Sequence, residues 1–200
     1  MTQNARKNEI DLSEERCKNS QVRAVSFQTV DEAYLFLEEL GASAPLVLHV
    51  KLVGEAAELL IAKLHDLDIQ FDERFVCLGV AFHDVGKILH SQELVERGKL
   101  HEAHGEQLLI ARGVDPALAR CCRSHGQWQT MVCSFEEICV ALADTLWKGK
   151  RNPDLEERLV RMTSTKCQKD YWELFIELDA CFEAIAAEGD SRLLRSRVSS

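Results

Sequence analysis

The chain has 200 residues and a mass of 22.6 kDa, the size of one domain with short extensions. Its 24 Lys and Arg against 33 Asp and Glu leave a formal net charge of −9. That balance excludes general nucleic-acid binding through a basic face but permits one local basic pocket. Hydrophobic residues make up 46% of the chain, enough for a substantial core, and no apolar run approaches the ~18 residues of a membrane span.

Residues 1–25 are polar and charge-mixed, which predicts a flexible N-terminal segment without the apolar stretch of a secretory signal. Thr29 or Asp31 caps a short helix, Asp31 to Leu40, that Gly41 ends. Pro45 opens a long helix from Leu46 to about Leu67, with Leu48, Leu52, Ala56, Leu59, Leu60 and Leu64 at three- and four-residue steps. Asp72 caps the next, Glu73 to about Leu89, apolar nearly all round and therefore expected at the centre. After a polar stretch with one helical turn at Gln92 to Glu96, helices are predicted at His101 to Ala111 and Pro116 to about Ser124. Three more follow: Phe135 to about Trp147, capped by Ser134; Asp154 to about Thr163; and Asp170 to Ala187. The last turns Trp172, Phe175, Ile176, Leu178, Phe182 and Ile185 towards the core or a second subunit, which admits a homodimer. No alternating strand pattern is present, so the expected fold is all-α with about eight helices. Residues 26–150 form its central unit, 151–190 pack on it, and 191–200 form a polar tail.

The eight cysteines, at 17, 77, 121, 122, 133, 139, 167 and 181, include no CxxC pair, and several occupy apolar positions of helical patterns. They read as reduced, mostly buried thiols, consistent with a cytoplasmic protein. The seven histidines are more informative, because all fall between residues 49 and 125. Among them, Ala81-Phe82-His83-Asp84-Val85-Gly86-Lys87 stands out: a His-Asp pair delivered by an apolar helix and followed by Gly-Lys. Adjacent helical residues point about 100° apart, so such a pair can share a metal only where the helix end is aimed at it.

At these residues the sequence resembles the HD superfamily of metal-dependent phosphohydrolases. The likeness rests on His49 in Leu48-His49-Val50-Lys51-Leu52-Val53, the His83-Asp84 pair, His101 in His101-Glu102-Ala103-His104-Gly105, His125, and Asp144 in Ala141-Leu142-Ala143-Asp144. It covers about residues 30–150 and implies a helical HD domain. By this resemblance His49, His83, Asp84 and Asp144 would hold one metal, and Asp84 would bridge to a second held by His101 and His125. Imidazole and carboxylate donors suit Fe or Mn first, with Ni, Co, Zn or Mg admitted. Two ions ~3.5–4 Å apart can clamp the attacking and leaving oxygens of a phosphoryl transfer. His101 and His104 compete for one ligand role; the family spacing favours His101 and leaves His104 near the substrate. His125-Gly126 departs from members with a further His and Glu there, which sets aside a third metal and cyclic-dinucleotide chemistry.

Lys87 resembles the family lysine that contacts phosphate or assists the leaving group, alongside Asp84 in catalysis. Lys148-Gly149-Lys150-Arg151 is the one concentrated basic run. Lys148 and Arg151 could contact the substrate or simply answer the helix dipole. Trp128 and Trp147 could stack on a base or close the core.

The expected function is hydrolysis of a phosphomonoester or phosphoanhydride in a nucleotide or other small phosphorylated metabolite, with a metal-bound hydroxide as nucleophile. A mixed-valence di-iron oxygenase and a non-catalytic nucleotide-sensing module are the alternatives. Iron content and the spectroscopy of a half-reduced sample discriminate the first; full cellular function of an Asp84→Ala protein would favour the second.

Overall fold

Side-chain caps start most of the helices. Thr29, Asp72, Asp115, Ser134, Asn152 and Asp170 each accept a backbone N–H in the first turn that follows. At Ser134 the exchange is reciprocal, with Glu137 reaching back to the Ser134 N–H. The computed structural model describes residues 24–198. Its helices are α1 (Val30–Glu39), α2 (Ala44–Asp66), α3 (Glu73–Phe82), α4 (Leu100–Ala111), α5 (Pro116–Ala119) and α6 (Cys121–Gln127). They continue with α7 (Phe135–Leu146), α8 (Pro153–Cys167), α9 (Tyr171–Ala187) and α10 (Gly189–Val198). Short 3-10 turns at Val85–Ile88 and Ser91–Leu94 join α3 to α4. The fold is all-α; the β-type contact among the described residues is an isolated bridge between Val25 and Val114.

Helix α3 is central, with Val76, Leu78, Gly79, Val80, Ala81 and Phe82 all buried. Val76 and Val80 join a core built with α2, α7, α8 and α9, around Leu60, Leu142, Leu159 and Phe182. Leu78, Ala81 and Phe82 join a second core with Phe27, Leu37, Leu46 and Leu109. A helix apolar on both sides thus becomes the partition between two cores, and its C-terminal end is fixed from both directions.

The structure corrects several expectations. Helix α3 stops at Phe82 instead of running to Leu89, because the chain tightens into the 3-10 turn from Val85. That path lays Gly86 against the backbone of α4: a Cβ at residue 86 would stand 1.9 Å from the His101 carbonyl oxygen and 2.8 Å from the Gly105 nitrogen. Only glycine allows this approach. Gly86→Ala is therefore expected to cost about 1–3 kcal/mol, since backbone must move to admit the methyl. Urea unfolding that gave a wild-type midpoint would contradict it.

The polar stretch 191–200 was expected to be a tail, yet residues through Val198 belong to α10 and Arg192 is buried there. Arg192 donates to the Ile185 carbonyl at 2.8 Å, so tertiary hydrogen bonding stabilises a segment whose composition looks solvent-like. On α9, Leu174, Leu178, Phe182 and Ile185 face the core, whereas Trp172 and Ile176 are exposed, contrary to the reading of that face. The seven cysteines within the described residues are free, with 121, 122, 133 and 139 buried; Cys17 and residues 1–23 lie outside the described residues. No described helix is long and apolar enough to cross a membrane.

Candidate metal centre

Five helices contribute to one cluster. His49 comes from the second turn of α2, His83 and Asp84 from the end of α3, His101 from the start of α4, His125 from α6 and Asp144 from α7. Asp84 lies at its centre, 2% exposed. Its two oxygens face different imidazoles. Oδ2 lies 2.8 Å from His49 Nε2 and 3.4 Å from His83 Nε2. Oδ1 lies 3.2 Å from His101 Nε2 and 3.7 Å from His125 Nε2. Asp144 Oδ1 stands 3.7 Å from His83 Nε2. Two trios result, His49/His83/Asp144 and Asp84/His101/His125, each with its donor atoms within 4.8 Å of one another.

Three of the rings are oriented by their other nitrogen. The Nδ1–H groups of His83, His101 and His125 donate to the Val80 carbonyl at 2.7 Å, the Glu93 carboxylate at 2.5 Å and the Cys121 carbonyl at 3.1 Å. Each bond leaves Nε2 free to act as a donor atom towards a cation. Buried polar atoms are normally hydrogen-bonded. Here His83 Nε2, Asp84 Oδ1 and His101 Nε2 have no such partner; among the described residues only Ser124 Oγ shares that condition. Orphaned nitrogen and oxygen donors gathered in one place fit divalent transition-metal ions.

Electrostatics support this fit. Burial alone would lower His83 and raise the two aspartates. The Asp84 and Asp144 carboxylates nevertheless push His83 up to about 10. In return the histidines, with Lys148 beside Asp144, hold both carboxyls well below the usual range. Burial pushes His125 down to about 4, with the charge of His83 adding to the effect, and burial also lowers His49. His125 is therefore neutral at neutral pH and ready to coordinate, whereas His83 carries a proton in the metal-stripped protein. Metal uptake at pH 7 must displace that proton, so apparent affinity is expected to rise about tenfold per pH unit for each proton released, up to the His83 pKa. Calorimetry in buffers of different ionisation enthalpy measures the release; uptake without proton release would contradict it.

All of the cluster but the fully buried His83 lines a cavity of about 1000 Å³. Lys87 Nζ lies 2.5 Å from Asp84 Oδ2 and Lys148 Nζ lies 3.2 Å from Asp144 Oδ2, and both lysines line the cavity. Trp147 closes one side: its indole N–H donates to Asp144 Oδ1 at 3.2 Å and its ring is 4.9 Å from that of His49. A second cavity, about 760 Å³ between residues 24–28 and α3, contains none of these groups.

Two residues expected near the substrate are elsewhere. His104 is exposed and stacks on His90, with His90 Nε2 2.5 Å from His104 Nδ1; it points away because α4 turns His101 inwards. Arg151 is held by Glu156 at 2.8 Å and Asp179 at 2.5 Å, tying α8 to α9 outside the cavity. Three contributions escaped the sequence reading. Glu93 is buried and accepts the Nδ1–H of His101 together with the backbone N–H groups of Leu100 and His101. Buried Glu102 accepts from Gln127 at 2.7 Å and takes the space beside Gly126, where a Cβ would lie 2.5 Å from its Oε1. Leu193, Ser196 and Arg197 of α10 form part of the cavity wall.

With this geometry the comparison with known families is decisive: the HD domain model matches residues 47–161, more than half of the chain. The chain belongs to the HD domain family. The family groups metal-dependent phosphohydrolases, and the His/Asp cluster of this HD domain is a site that could hold metal. No curated protein and no solved structure matches the chain at a significant level.

Proposed function

We propose that this HD domain is a metal-dependent phosphohydrolase that cleaves a phosphomonoester or phosphoanhydride of a nucleotide or other small phosphorylated metabolite. It would use two divalent ions, Fe or Mn foremost. The observation that carries the reading is the division of Asp84. One carboxylate oxygen faces His49 and His83, the other faces His101 and His125, so a single buried side chain addresses two donor sets. His49, His83 and Asp144 would complete one site, and His101 and His125 the other, with Asp84 shared.

Divalent ions in such a pair supply Lewis-acid charge for a phosphoryl group and make water nucleophilic at neutral pH. The protein's own part is position and charge. Lys87, one turn beyond Asp84 in the cavity lining, places an ammonium where it can hold a phosphoryl oxygen or give a proton to the departing oxygen. Lys148 brings a second cation from the end of α7. Glu93 fixes the His101 ring, and Trp147 packs against His49 and Asp144, limiting water access on that side.

The test is phosphate release. Protein stripped of metal and reloaded separately with Mn²⁺, Fe²⁺, Co²⁺, Ni²⁺ or Mg²⁺ is presented with nucleotides, sugar phosphates and para-nitrophenyl phosphate. Release that depends on metal supports the reading; no release from any pair of metal and substrate refutes it.

A further inference from the structure

Helix α10 lies outside the matched HD domain region, yet it walls the cavity over the cluster. Its Leu193, Ser196 and Arg197 are spaced by three and four residues and so share one helical face. The helix is anchored at several points. Arg195 forms two hydrogen bonds to Glu55 of α2, at 2.7 and 2.6 Å. Arg192 is buried on the Ile185 carbonyl. Gly189 abuts Gly149 so closely that a Cβ would fall 2.2 Å from the Gly149 nitrogen. These contacts hold α10 in one register, which keeps Arg197 in the cavity wall.

Charge within the cavity is unevenly matched. Lys87 is paired with Asp84 and Lys148 with Asp144, both beside the candidate metal centre. Arg197 lines the same cavity with no ion-pair partner among the described residues, unlike Lys87, Lys148, Arg192 and Arg195. The same lining includes apolar Leu94, Val95, Trp147 and Leu193. A cavity of about 1000 Å³ is far larger than a phosphoryl group requires.

Building on the hydrolase reading, we infer that the cavity selects a phosphorylated substrate with an apolar or aromatic body and a second anionic group, and that Arg197 binds that second group. Arg197 is then a specificity-determining residue, and Glu55 positions it through α10. The guanidinium suits bidentate recognition of either a carboxylate or a phosphate.

Non-hydrolysable probes separate binding from turnover. Phenylphosphonate, 4-phosphonobenzoate and benzene-1,4-diphosphonate are titrated calorimetrically into Mn²⁺-loaded protein, with para-nitrophenyl phosphate hydrolysis followed in parallel. At least one of the two probes with a second anionic group is expected to bind about tenfold tighter than phenylphosphonate, as a charge-assisted contact implies. Which one does so tells carboxylate from phosphate. Arg197→Ala should erase that preference while leaving phenylphosphonate affinity within about twofold, and Arg197→Lys should retain part of it. Glu55→Gln should reduce it with Arg197 still present. Equal affinity of wild-type protein for all three probes, or a preference that survives Arg197→Ala, overturns the inference. If that happens while para-nitrophenyl phosphate is still hydrolysed, the hydrolase reading stands without it. Absence of both binding and hydrolysis removes both.

Discussion

Replacing Asp84 by Asn is expected to abolish stoichiometric metal binding and to lower phosphate release by about a thousandfold or more, several kcal/mol of transition-state stabilisation. No other side chain in the cluster stands near four imidazoles at once. The amide keeps the shape but loses the charge, and its NH2 must face one pair of ring nitrogens instead of accepting from them or sharing a cation with them. The metal-stripped protein should change as well. The Asp84 charge is a principal reason that His83 stays protonated, so Asp84→Asn should bring the His83 pKa down from about 10. Metal content by mass spectrometry, kcat on para-nitrophenyl phosphate and NMR titration of the His83 ring read these effects independently. Two equivalents of tightly held metal in Asp84→Asn would rule out the bridging assignment.

The second large effect is expected at Glu93. Its Oε1 accepts from the Leu100 N–H at 3.2 Å, and its Oε2 accepts from the His101 N–H at 3.2 Å and from His101 Nδ1 at 2.5 Å. Three donors converge on one carboxylate at the start of α4. A glutamine there must turn its NH2 towards at least one of them, and an alanine leaves all three without an acceptor. Both changes release the His101 ring, so its Nε2 is no longer held towards Asp84. Glu93→Gln and Glu93→Ala should each weaken one of the two proposed metals by about 10- to 100-fold, the range for partners that orient a ligating histidine, and leave the other nearly untouched. Chelator competition would resolve the two equivalents. Unchanged affinity for both would show that His101 needs no support from Glu93.

Glu93 illustrates what a linear reading loses. It lies eight residues before His101, inside a 3-10 turn with a loop between, and no helical or strand period connects the two. His101 and His104 were separable only by family spacing, whereas in three dimensions α4 sends one ring to Asp84 and the other to His90 on the surface. Arg151 stood one turn from Lys148 in a basic run, but Glu156 and Asp179 draw it to the α8–α9 side.

Most of the helices, the caps at Asp72 and Ser134 and the central position of α3 were determined by the sequence alone, because period, capping side chains and apolar content act locally. The six histidine and aspartate positions were legible as a set through the resemblance to the HD superfamily, since His49 or Asp144 taken alone also reads as an ordinary core or surface residue. The service of Glu93 to His101 and the closing of the cavity by α10 were decided only by tertiary structure, which also supplies the distances behind the Asp84 bridge that the resemblance implies. Neither follows a helical or strand period: Glu93 reaches His101 across a loop, α10 reaches α2 from the far end of the chain, and α10 in particular is polar by composition. It is held in place by Arg195 on Glu55 and Arg192 on the Ile185 carbonyl, contacts that arise only once α2 and α9 have packed.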